Sequence, residues 1–246
     1  MKRLLITNDD GMEADGLIRL VRAAKAFGEV WVVAPDGQRS ASSHSLTLRD
    51  PMKVLPYDFP VDGVKSWSCS GTPADCVRVG IHFILHEKPD IVLSGINYGY
   101  NSATDIQYSG TCGAAFEGAF QGAHSIAVSE QACPCHEVTD RYLSELLEEL
   151  IATPLPYGTI YNVNFPGCPL SECGGVLRNR TVSRSMFYAD AYRVRQKLPG
   201  GGHMVQVDGN YQEKAEEETD MHALIHHYVS VGTVNNVGVI QTSANR

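Results

Sequence analysis

The sequence predicts a doubly wound α/β fold, a mostly parallel sheet with a β arm toward the C-terminus. Three observations predict it. Short apolar runs of strand length alternate with stretches of helical period through the N-terminal half. The joins between them are short, as βαβ units require. The second half loses this alternation and breaks into extended pieces around a glycine run.

Taken in order, residues 3–7 form a short apolar run that reads as a buried strand. Residues 15–27 place Leu17, Ile18, Leu20, Val21, Ala24 and Phe27 on one helical face, with Gly28 where the helix should end. Val30-Trp31-Val32-Val33-Ala34 is the next strand, stopped by Pro35-Asp36-Gly37. Thr72 reads as an N-cap with Pro73 at the first helical position, opening a helix to about Leu85. Ile91–Ser94 is a strand, followed by the Gly/Asn/Ser-rich stretch 95–110. An Ala- and Gly-rich helix begins near Thr111, a strand spans 125–128, and an amphipathic helix covers 137–152.

Beyond that point 159–163 reads as a strand, 176–208 as extended pieces broken by Pro199-Gly200-Gly201-Gly202, 219–227 as a short capped helix and 228–234 as a strand. The tail from Asn235 has no strong pattern. Neither repeats nor a linker divide the chain. The expectation is one domain, 1–246, with a core of about 1–165 and a projecting arm and C-terminal segment of about 166–246.

Composition narrows the function. The 246 residues include 20 Lys and Arg against 28 Asp and Glu, a formal charge of −8. That balance forgoes the counterion release that drives binding to duplex nucleic acid, so none is expected. A small anionic substrate remains open where a local cation offsets the repulsion. The N-terminal apolar run is too short for a signal peptide and no stretch could span a bilayer, so a cytoplasmic protein is expected. The seven cysteines are odd in number. Cys133-Pro134-Cys135 and the Cys168/Cys173 pair lack zinc-knuckle spacing, and all are read as reduced thiols.

Ligands of doubly wound sheets sit beyond the C-terminal ends of the strands. Three of these ends are polar here: Asn8-Asp9-Asp10-Gly11, Asp36-Gly37-Gln38-Arg39-Ser40, and Gly95-Ile96-Asn97-Tyr98-Gly99-Tyr100-Asn101. Adjacent carboxylates repel each other unless a cation lies beside them. Hard oxygen ligands suit Mg²⁺ or Mn²⁺, and Ser40 and Asn97 could complete a shell begun by Asp9 and Asp10. The competing reading makes Asp9 and Asp10 turn residues, since Asp-Gly is a common turn. Ser109-Gly110-Thr111-Cys112-Gly113, at a helix start, suits a phosphate or is a plain N-cap. His44 is read as a hydrogen-bonded loop residue. His222, His226 and His227 lack the spacing of a metalloprotease motif.

At these loops the sequence resembles the SurE family of survival-protein nucleotidases. The matching stretches are Thr7-Asn8-Asp9-Asp10-Gly11, Ala34-Pro35-Asp36 with Arg39-Ser40, and Ser70 through Val77. Ser94-Gly95-Ile96-Asn97 with Gly99 and Asn101 also matches, as does Tyr108-Ser109-Gly110-Thr111 with Ala114-Ala115 and Glu117-Gly118. Five stretches in order are specific where one alone is not. The resemblance departs at Ala41, Ser102-Ala103 and Cys112, and through much of the second half.

What the resemblance implies is a Rossmann-like, metal-dependent 5′- or 3′-nucleotidase, some members also trimming short polyphosphate. One divalent ion, Mg²⁺ or Mn²⁺, would be held by Asp9, Asp10, Ser40 and Asn97, with Asp9 and Asp10 catalytic. Asn101, Ser109, Gly110 and Thr111 would line the phosphate site. The arm would join homodimers or homotetramers. Two rivals are a nucleotide-binding protein without turnover and a receiver-like signalling module. The second would need a phospho-acceptor and a lysine at later strand ends, roles for which Asp58 and Lys88 are poorly placed.

Overall fold

The computed structural model describes residues 1–236, and the tail beyond Asn236 lies outside them. The chain opens with β1 (Lys2–Thr7), α1 (Asp15–Ala24) and β2 (Gly28–Pro35). Two short strands follow, β3 (Val54–Pro56) and β4 (Lys65–Cys69), then α2 (Pro73–Val79) and β5 (Ile91–Tyr98). Next come α3 (Gly110–Phe120), β6 (His124–Glu130), α4 (Glu137–Ala152) and β7 (Thr159–Phe165). The last part holds β8 (Val176–Arg180), β9 (Tyr188–Lys197), β10 (His203–Tyr211), α5 (Asp220–Ile225) and β11 (Val229–Asn235).

The main sheet runs β3-β4-β2-β1-β5-β6-β7-β11-β8. Within this sheet, among the described strands, only the β3–β4 and β7–β11 pairings are antiparallel. From β1 the chain winds outward through β2 and β4, then returns to β5 on the other side of β1. The reversal puts a crevice between β1 and β5, at their C-terminal ends. This is the doubly wound sheet expected from the sequence, and the antiparallel β9–β10 hairpin forms the arm.

Strand period 2 divides the core. Leu4 and Ile6 pack with Leu17, Leu20 and Val21 of α1 and with Leu143, Leu146 and Leu147 of α4. Leu5 faces the other way, toward Cys76 and Val77 of α2 and Ala114 of α3. Each fully buried Leu contributes about 1.5–3 kcal/mol, so both faces stabilise the sheet. α3 is buried nearly all round, which its small residues permit. A Cβ on Gly118 would stand 2.7 Å from Val92 Cβ.

Several boundaries differ from expectation for identifiable reasons. α1 stops at Ala24, and Gly28 begins β2 rather than ending the helix. A side chain at Gly28 would collide with the Lys2 carbonyl, 2.2 Å away, so close strand pairing demands the glycine. α2 starts as expected. Thr72 caps it by accepting from Asp75 N–H while the Asp75 carboxylate takes Thr72 N–H. The helix continues as a π-helical turn, Gly80–Leu85, ended by left-handed His86. The short strands β3 and β4 have no counterpart among the elements expected from the sequence.

Candidate active site

Four turns meet at the crevice. Asn8 closes the turn after β1, with Nδ2 donating to the Gly11 carbonyl at 3.0 Å and Oδ1 accepting from Gly11 N–H at 3.2 Å. Gly11 is needed there, its φ being +102°. The turn after β2 is fastened to Asp9, whose carbonyl accepts from Arg39 N–H at 2.6 Å. Along β5 the register with β6 slips between Ser94 and Asn97. Such an irregularity re-aims side chains, and Asn97 lines the cavity below. The fourth turn leads into α3, whose N-cap is Ser109: its hydroxyl accepts from Cys112 N–H at 3.0 Å.

These turns enclose a cavity of about 470 Å³. One end is polar, with Asp9, Ser40, Asn97, Asn101 and Ser109. The other carries the aromatic cluster of Tyr100, Phe187, Tyr188 and Tyr211, with Tyr108 and Val207, and also the carboxylates of Asp105 and Asp190. The arm supplies much of that second end. Among the described residues, neither Lys nor Arg lines the cavity.

Asp9 is 3 % exposed, and its Oδ1 accepts from Thr111 Oγ1 at 2.6 Å. Burial pushes its pKa up to about 6, opposed by the Thr111 hydroxyl and reinforced by the charge of Asp10. Asp10 is also raised, again mainly by burial, against hydrogen bonds from Tyr98 N–H, at 3.1 Å, and the Gln38 side chain. One buried and one half-buried carboxylate, with no cationic side chain acting on either among the described residues, form a donor set that a hard cation would neutralise. Asn97 Nδ2 donates to the Gly99 carbonyl at 2.8 Å. Its Oδ1 has no protein partner among the described residues and suits the same cation.

The eight residues singled out from the sequence all lie around this crevice, but not in equivalent places. Asp9, Ser40, Asn97, Asn101 and Ser109 line the cavity, whereas Asp10 lines a separate recess of about 220 Å³ with Asp36 and Gly37. Thr111 turns to Asp9. Gly110 packs beneath, where a Cβ would come within 3.0 Å of Asp9 Cβ. His44 is hydrogen bonded to Glu117 at 2.8 Å.

Supporting residues escaped the sequence reading. Asn164 Oδ1 accepts from Asn101 N–H at 2.8 Å, while Asn162 and Asn164 both donate to the Asn101 carbonyl, at 2.8 and 3.0 Å. Two asparagines on the same side of an otherwise apolar strand are the signal that could have found them. Asp220 accepts from Ala103 N–H at 2.8 Å and Ser183 N–H at 2.9 Å, joining α5 to the cavity loop and to the root of the arm. The residues a receiver module would need lie elsewhere. Asp58 follows the edge strand β3. Lys88 precedes β5, at the far end of the sheet, and donates to the Gly122 carbonyl.

Fold and site together define a doubly wound α/β protein with a carboxylate-centred cavity at its switch point. The profile of the family described as Survival protein SurE matches residues 4–187. A protein of Thermosipho melanesiensis named 5′-nucleotidase SurE is 40% identical over 235 residues, 94% of this chain and 91% of the relative. One of the same name from Mesorhizobium japonicum is 39% identical over 238 residues, 93% of this chain and 91% of its own. The crystal structure of the SurE protein from Aquifex aeolicus superposes with a TM-score of 0.80 at 34% identity, covering 95% of this chain and 93% of that one. The chain belongs to the SurE family.

Proposed function

We propose that this chain is a divalent-metal-dependent phosphomonoesterase that hydrolyses nucleoside 5′-monophosphates, and to a lesser degree 3′-monophosphates, to nucleoside and orthophosphate. The observation that carries this reading is the division of one cavity into two ends. A carboxylate, neutral oxygens and a helix N-terminus occupy one end, and aromatic side chains with Asp105 and Asp190 the other. A phosphate suits the first and a nucleobase the second. Short polyphosphate is a poorer substrate, because no Lys or Arg on the cavity wall offsets its successive charges.

Asp9, Asp10, Ser40 and Asn97 would hold one Mg²⁺ or Mn²⁺. When bound, the ion offsets phosphoryl charge and lowers the pKa of water. The rest falls to the protein. Gly110 N–H, at the first turn of α3, has no intrahelical acceptor and is a donor that a phosphoryl oxygen would use. Ser109 and Asn101 fix the phosphoryl oxygens. Thr111 holds Asp9 in one orientation through its hydroxyl. In the reaction the P–O bond to the nucleoside breaks, a P–O bond to water forms, and the proton of water passes to the departing nucleoside oxygen.

We place the protein in the cytoplasm; among the described residues no helix is long and apolar enough to cross a membrane. The single domain acts as a homodimer or homotetramer joined through the β9–β10 arm, whose Tyr192, Val194, Met204, Val205 and Val207 are exposed. An uncovered two-stranded hairpin is marginal in water, which favours a partner there.

Phosphate release from a panel of nucleoside monophosphates, ribose 5-phosphate and tripolyphosphate, with Mn²⁺, Mg²⁺ or EDTA, tests the reading. Metal-dependent release, fastest from nucleotides, is expected. Metal-dependent binding of AMP without release would point instead to a nucleotide-binding protein.

A further inference from the structure

The loop 39–47 carries Ser40 to the cavity yet lies outside every helix and strand. Ala41 and Ser43 within it have φ of 56° and 55°, a region that L residues sparsely populate. A backbone of that kind holds its shape only when fastened from outside. The α3 helix provides the fastening along one face.

Positions 110, 113, 117 and 121 recur at helical spacing and present one stripe. A Cβ on Gly110 would lie 2.5 Å from Ser42 Oγ, and one on Gly113 2.3 Å from the Ser43 carbonyl oxygen. Loop and helix backbones therefore touch. One turn further, Glu117 Oε2 stands 2.8 Å from His44 Nε2, and the His44 ring stacks on Phe120 with centroids 5.5 Å apart. The other carboxylate oxygen accepts from Gln121 Nε2 at 2.8 Å and Arg78 Nη1 at 3.3 Å. Glu117 is 4 % exposed. A buried carboxylate with three hydrogen-bonding atoms around it, one of them from a loop histidine, is a costly device for packing alone. Neither Glu117 nor His44 has a part in the proposed chemistry.

We infer that the Glu117–His44 pair is a latch that holds the 39–47 loop against α3 and so keeps Ser40 at the polar end of the cavity. Both are positioning residues. The inference rests on the proposed function only in taking Ser40 as part of the cation site.

The test uses the full chain with His44→Ala, Glu117→Gln and His44→Gln, the last retaining a hydrogen-bonding group near the position of Nε2. Hydrogen exchange of the metal-free protein is read at Arg39, Ser43 and Thr47, whose N–H groups bond to Asp9, Tyr108 and Asp75. In His44→Ala and Glu117→Gln these amides should exchange at least tenfold faster, while amides of β7 keep their wild-type rates. His44→Gln should restore most of the protection. Calorimetry with Mn²⁺ alone should show affinity weakened about tenfold in His44→Ala, with kcat preserved at saturating Mn²⁺. Unchanged loop exchange in both disruptive variants, or acceleration of loop and β7 amides alike, would overturn the latch. Wild-type protein that neither binds Mn²⁺ nor releases phosphate would overturn the metal reading, and the exchange rates would still decide the latch.

Discussion

Asp9 gathers more of the site than any other side chain. Its carboxylate takes the Thr111 hydroxyl, its carbonyl takes Arg39 N–H, and it lies at the polar end of the cavity. Asp9→Asn preserves the shape and can still accept from Thr111, but removes the charge a cation would need. Metal-dependent phosphate release should fall at least about a hundredfold, as expected when electrostatic stabilisation is removed. Thermal stability of the metal-free variant should hold or rise, because a buried charge has gone. A large loss of Tm with activity retained would contradict both halves. Asn164→Ala addresses the supporting residues. It leaves Asn101 N–H without its partner, at a cost of about 1–3 kcal/mol in urea unfolding, and KM for AMP should rise. The paired acids could be read from the sequence because both are consecutive and end an apolar run. Asn162, Asn164 and Asp220 could not, since each acts on backbone 61–117 residues away.

At the scale of elements, local chemistry explains which parts were legible. The helix expected over 137–152 is α4 from end to end, its amphipathic period continuous. β4 has no such signal. Lys65-Ser66-Trp67-Ser68-Cys69 becomes a strand because β2 offers it an edge and Trp67 stacks on Trp31, centroids 5.7 Å apart. Both conditions are tertiary. One contact between elements makes a pH prediction. Arg178, on β8, forms a bidentate pair with Glu149 of α4, its Nε and Nη2 at 2.7 and 2.6 Å. The hydrogen bond from Arg178 holds the Glu149 carboxyl below its usual value. A depressed folded-state pKa means the stabilisation is complete above the usual carboxylate value, near 4.5, and is lost as pH falls through the folded one. Both side chains are over a third exposed, so the pair is worth well under about 1 kcal/mol. Arg178→Ala should cost that much at pH 7 and nothing near pH 2, measured by urea unfolding at each pH.

For the whole molecule, the doubly wound order follows from the alternating N-terminal half, while the second half reads poorly because its strands take their places from distant partners. β11 lies between β7 and β8 and is antiparallel to the first, parallel to the second. No local pattern encodes that insertion. The exposed apolar stripe of the hairpin supports a prediction at this scale. Val194→Asp with Val205→Asp should reduce the proposed dimer or tetramer to monomers by light scattering, without lowering the Tm of the sheet by more than a few degrees. An unchanged mass would place the oligomer contact elsewhere.

The arm leaves the sheet after β8 and its chain returns as β11, so both of its roots are tied down. Those roots, Phe187 and Tyr188 on one side and Tyr211 on the other, also form the aromatic wall of the cavity. Whatever grips the hairpin therefore bears on the width of the cavity. Under the proposed assembly through the hairpin, oligomerisation and substrate occupancy would be linked equilibria, each shifting the other by the same factor. Diluting the enzyme through its dissociation range should raise the KM for a nucleotide, and saturating nucleotide should hold the oligomer together at concentrations where the free protein falls apart.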